Sequence, residues 1–180
     1  MLEPIGLQRL FEQLARQPSN DPHDSDVRLV VRARARDACE YCLMPTVSQF
    51  QVDHVVPASR WSAFADSALP IKPTGDELGP DHLDNFAWSC SYCNSYKGSS
   101  VMGRIGRRIS RLFRPRRDVW DEHFVLTDHT LLIRGLTEVG QTTVRVLLFN
   151  DARPNGPLAA RHAAIVEGIY PPSWARGWSI

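Results

Sequence analysis

Cysteine placement constrains this chain most. All four cysteines fall in two Cys-x-x-Cys pairs, Cys39-Glu40-Tyr41-Cys42 and Cys90-Ser91-Tyr92-Cys93. Four thiolates so paired predict a tetrahedral Zn²⁺ site on Cys39, Cys42, Cys90 and Cys93. The 47 residues between the pairs exceed a simple zinc ribbon, so the chain must fold back on itself. Two disulfides would suit a secreted protein. However, Met1-Leu2-Glu3-Pro4-Ile5-Gly6 has no charged start, long apolar run or small-residue cleavage site. Thioredoxin-like chemistry would need a βαβ pattern around one pair, and none is present. No segment approaches the roughly 20 apolar residues of a membrane-spanning helix. The expectation is a reducing cytoplasm, where such pairs act as metal ligands.

At 180 residues the chain is one domain or one domain with appendages. The net charge of +1 excludes a polycation, but the distribution is uneven. Asn85 to Arg117 contains no Asp or Glu, yet holds Lys97, Arg104, Arg107, Arg108, Arg111, Arg114, Arg116 and Arg117. Such local basic density is the footprint of nucleic-acid binding, with a solvated charged face as the alternative.

Several elements follow from periodicity. Leu2 to Arg16 is weakly helical, and Gln17 to Pro22 is a linker. Ser25 or Asp26 caps a helix from Val27 to Asp37, with Val27, Val30, Val31, Ala35 and Ala38 on its apolar face. Val47 to Val56 reads as a strand, Ala58 to Pro80 as a long loop, and Asp84 to Ser89 as a helical turn. A helix starts near Ser91 and carries Asn94 and Lys97. Arg104, Arg107, Arg108 and Arg111 recur at helical spacing and predict a basic amphipathic helix, which Gly103 and Gly106 weaken. A hairpin over Glu122–Arg134 and helices over Thr137–Leu148 and Pro157–Ile169 complete the chain.

Between the cysteine pairs lie Asp53-His54-Val55-Val56-Pro57 and Asn85, and the second pair runs on into Asn94-Ser95-Tyr96-Lys97-Gly98. In this order the motif resembles the zinc-containing HNH endonucleases, the ββα-metal nucleases, of the stand-alone bacterial type. The resemblance spans Cys39 to Gly98 and continues into Leu112–Phe124 and Gly135-Leu136-Thr137. It departs in the length of the 58–80 loop, and in Asn94, where many members carry a second His. It implies an α+β fold: a ββα-metal core clamped by a four-Cys zinc site, with helical flanks and a C-terminal β-hairpin plus helices. Residues 1–25 would form an N-terminal helical extension, 26–118 the nuclease core and 119–180 a C-terminal unit packed on it.

The resemblance also implies roles. His54 is the expected general base, with a hydrogen-bonded strand histidine as the alternative. Asp53 and Asn94 are expected to hold a catalytic divalent metal, and their oxygens favour Mg²⁺ or Mn²⁺. The alternatives are a surface aspartate and a helix-cap asparagine. A bend must bring Asp53 and His54 to one phosphate, because neighbours on a strand point to opposite faces. Asn85 would hold the loop that carries His54. Lys97, Arg104, Arg107, Arg108 and Arg111 would contact the nucleic-acid backbone, Lys97 being otherwise an ordinary surface lysine. Asp81-His82 is a second Asp-His pair without a following strand, and His82 is a weak candidate for the base. His23, His123, His129 and His162 belong to no constellation. The expected activity is hydrolysis of DNA phosphodiesters, RNA not being excluded. A non-catalytic zinc module, or a phage-defence effector activated by a protein partner or in an oligomer, are the rivals.

Overall fold

A computed structural model of the chain describes residues 21–46, 49–62, 80–127 and 132–178, together with Arg9 and Glu12. Apart from Arg9 and Glu12, the predicted N-terminal helix lies outside the described residues, as do most of the 58–80 loop and the turn at Asp128-His129.

Helix α1 spans Ser25–Arg34. Its cap is Asp24, whose carboxylate accepts from the Asp26 N–H at 2.8 Å, just ahead of the expected cap. Val27, Val30 and Val31 are buried on one face, as their spacing requires. Arg36 and Asp37 adopt positive φ, which turns the chain sharply into the first cysteine pair.

Strands β1 (Phe50–His54) and β2 (Phe86–Cys90) pair antiparallel, with Val52 opposite Trp88 and His54 opposite Phe86. Helix α2 (Ser91–Lys97) follows β2 directly. The predicted helical turn over 84–89 is therefore only half present. A 3₁₀ turn at Leu83–Asn85 gives way to a strand whose five residues are all buried. Phe-Ala-Trp-Ser-Cys carries no alternation because both faces of β2 are covered. On one face Arg28 of α1 lies over the Trp88 ring and donates to the Phe50 carbonyl. On the other, α2 meets Gln51 and Asp53.

The expected basic helix is instead a hairpin. Strands β3 (Met102–Ile105) and β4 (Arg108–Arg111) pair antiparallel, Ile105 opposite Arg108. Gly106 takes φ +58° in the two-residue turn, a conformation that suits glycine and ends any helix. Gly103 also has a packing reason to be glycine: an added Cβ would come within 2.4 Å of Val146 Cγ2.

Short helix α3 (Trp120–His123) leads into a second hairpin, β5 (Phe124–Thr127) and β6 (Leu132–Gly135), as expected. Helices α4 (Glu138–Val146) and α5 (Pro157–Val166) match their predicted positions, and a 3₁₀ segment at Ser173–Trp178 follows. The architecture is thus mixed α+β, with short two-stranded antiparallel sheets. One apolar cluster runs from Val27 through Phe86, Phe124 and Leu147 to Ala175, so the C-terminal elements share the core of the β1–β2 hairpin. Among the described residues no helix is long and apolar enough to cross a membrane.

Candidate metal centre and histidine site

The four cysteines converge and are buried, and their Sγ atoms all lie within 4.8 Å of one another. Cys42 Sγ and Cys90 Sγ are 3.7 Å apart. That is far beyond a disulfide at about 2.05 Å. It matches the roughly 3.8 Å edge of a tetrahedron with Zn–S bonds of about 2.3 Å. The donor set is soft, dry and of the right size for zinc. Burial pushes the Cys93 thiol up, while hydrogen bonds from its three neighbours hold Cys42 low. Four buried sulfurs this close together could hold a metal such as zinc.

Backbone contacts hold the first pair in place. The Cys39 N–H donates to the Met44 carbonyl and the Glu40 N–H to the Trp88 carbonyl. Trp88 N–H returns a bond to the Glu40 carboxylate, which also pairs with Arg116. The second pair straddles the β2–α2 junction. There Cys90 occupies the N-cap position without a side-chain cap bond. A metal would anchor this helix start where no capping side chain does.

His54 ends β1. Its Nε2 lies 2.7 Å from Asp81 Oδ1, and its ring stands edge-on to Phe86 with centroids 5.0 Å apart. The loop after it is tied down by Asn85. The Asn85 amide donates to the Val56 carbonyl at 2.8 Å and to the Pro80 carbonyl at 2.7 Å, and accepts from the Val56 N–H at 2.9 Å. One side chain therefore fixes both the segment leaving His54 and the segment entering Asp81. His82 Nδ1 accepts from the Asp84 N–H and caps the 3₁₀ turn.

Asp53 lies on the opposite face of β1 from His54. No bend brings the two together within the strand, which stays paired through His54. Asp53 is 6% exposed and fully engaged. Tyr41 donates to its Oδ2 at 2.6 Å, and the Lys97 ammonium donates to its Oδ1 at 3.0 Å. Lys97 also donates to the His54 carbonyl at 2.7 Å. Burial raises the Asp53 carboxyl, and the Lys97 charge opposes that rise. Burial, then the Asp53 charge, pushes the Tyr41 phenol well up, so it stays a donor. Asn94 Nδ2 donates to Gln51 Oε1 at 2.6 Å.

Two corrections follow. Lys97 is not a surface lysine poised for phosphate: it is 2% exposed and reaches inward across β1. Asp53 and Asn94 as arranged do not fit a divalent metal, because an ammonium already holds the carboxylate. Among the described residues the cysteines are the one cluster of metal-ligating His, Cys, Asp or Glu side chains.

The arginine cluster divides similarly. Arg111 forks onto Asp118 at 2.5 and 2.8 Å, and Arg108 pairs with Glu138 at 2.5 Å. Arg114 is buried. Arg104 and Arg107 remain exposed on the β3–β4 hairpin.

Sequence reasoning missed Asp81 and Tyr41. Asp81 sits four residues before Asn85, and Asn85 grips the carbonyl just ahead of it. Tyr41 lies inside the first cysteine pair, a position turned toward the core once both cysteines face one point. Compared with known proteins, the chain matches no family model, no curated protein and no solved structure.

Proposed function

We propose that this chain is a zinc-clamped nuclease of the HNH type, hydrolysing DNA phosphodiesters with His54 as general base. One observation carries the reading: a half-buried histidine at the end of β1, hydrogen-bonded to a carboxylate and followed by a loop that a buried asparagine pins from both sides. With Nε2–H donating to Asp81, the lone pair resides on Nδ1. Nδ1 takes a proton from water as the water oxygen bonds to phosphorus. The P–O bond to the leaving alkoxide then breaks, and solvent returns a proton to it. Asp81 holds the ring in one tautomer and one orientation. Exposed Arg104 and Arg107 meet the phosphate backbone without reading bases.

A plasmid cleavage assay on the zinc-loaded protein tests this. His54→Ala is expected to lose about 10²–10⁴ in rate while retaining DNA binding. Equal cleavage by both proteins would remove His54 from the mechanism. A second reading is a zinc module that binds nucleic acid without cutting it, favoured by the ammonium on Asp53. Wild-type protein that binds DNA and leaves it intact would select that reading.

A further inference from the structure

We propose that Lys97 is the resident cation of the pocket between β1 and α2, and that its ammonium closes the Asp53 site to divalent metals. The inference deepens the nuclease reading and rests on it for its significance, but metal binding, not cleavage, decides it.

The ligands are those a hard cation selects: a carboxylate oxygen and a backbone carbonyl, both turned inward. Here Lys97 Nζ takes both, at 3.0 Å from Asp53 Oδ1 and 2.7 Å from the His54 carbonyl. The remaining carboxylate oxygen accepts from Tyr41 at 2.6 Å. Lys97 and Asp53 are nearly sealed from water, with side chains 1% and 7% exposed. An ammonium buried this deeply is stable only when paired and hydrogen-bonded. A divalent ion at Asp53 would face that charge at close range in a poorly screened environment. Lys97 has no easy exit, since the N-cap Cys90 and the first-turn Cys93 tie the start of α2 into the cysteine cluster. The pocket therefore carries a single positive charge supplied by the chain, and that charge braces the backbone of His54.

The test uses full-length protein with one zinc bound, titrated with Mn²⁺ and read by electron paramagnetic resonance of the free ion. Wild type and Asp53→Asn should bind Mn²⁺ identically, with no site that depends on Asp53. Lys97→Met should gain one Mn²⁺ per chain, and Lys97→Met/Asp53→Asn should lose it again. Wild-type binding that Asp53→Asn abolishes would overturn the proposal, as would a folded Lys97→Met that gains no site. If the variants fail to fold, wild type alone suffices. Mn²⁺ should leave the nuclear magnetic resonances of His54 and Lys97 sharp, and their broadening would refute a closed site. A wild type that never cuts DNA would sink the nuclease reading and leave this result standing.

Discussion

Asn85 shows how much one side chain can fix. Its amide satisfies the Val56 N–H and the carbonyls of Val56 and Pro80. Truncating it strands these backbone groups in a dry setting, where an unmet donor costs about 1–3 kcal/mol. Asn85→Ala is therefore expected to lower unfolding free energy by roughly 2–4 kcal/mol, measured by denaturant titration. Loss below about 0.5 kcal/mol would mean that the loop holds itself. The residue types around His54 were legible because a histidine beside a carboxylate between cysteine pairs is a rare pattern. Their partners were not. Strand alternation turns Asp53 away from His54, but nothing local marks Asp81, 27 residues further on, as the carboxylate that meets it. Lys97 read as a surface residue for the same reason: its burial follows from where α2 crosses the hairpin.

At the level of elements, α1, α4, α5 and the β5–β6 hairpin were readable from capping, turn residues and apolar spacing, and α2 from the spacing of Cys90, Cys93, Asn94 and Lys97. Two were not. Phe86–Cys90 lacked alternation because it is covered on both faces. The β3–β4 hairpin was disguised by arginines whose spacing happens to fit a helix, while Gly106 carried the truer signal. Gly106→Val should destabilise the protein by about 1–2 kcal/mol, the cost of a left-handed conformation for a side chain with a Cβ. Thermal melts of that variant beside Arg107→Ala would separate turn strain from charge. The opposite end of this hairpin, where Arg111 lies across from Met102, is clamped by Arg111 on Asp118. Burial would raise the Asp118 carboxyl, but hydrogen bonds from Arg111 and from the Arg114 N–H outweigh burial and hold it below its usual range. An aspartate held low binds its proton less tightly folded than unfolded. Its stabilisation is complete above about pH 4 and fades as pH falls further. Asp118→Asn should flatten the acid limb of the stability profile, and an unchanged limb would assign it to other carboxylates.

For the whole molecule, the cysteine cluster is the junction at which distant segments meet. Structural zinc contributes roughly 10–16 kcal/mol in small peptides, as large as the roughly 5–15 kcal/mol net stability of a whole domain. Cys90→Ser, or stripping the metal with a chelator, should abolish the cooperative melt. Elemental analysis should find one zinc per folded chain, and a folded zinc-free protein would count against a structural metal.

The cysteine turn is also buttressed from far along the chain. Trp120 Nε1 donates to the Tyr41 carbonyl at 2.9 Å, and the Tyr170 hydroxyl donates to the Cys42 carbonyl at 3.2 Å. During synthesis the fourth ligand, Cys93, emerges well before Tyr170. At about 5–20 residues per second, the interval is on the order of 4–15 s. Throughout that time a nascent chain can capture its metal while the turn that holds it still lacks its last brace. Metal capture and final locking can thus fall at different times in the life of the polypeptide, with the rate of synthesis setting the delay between them.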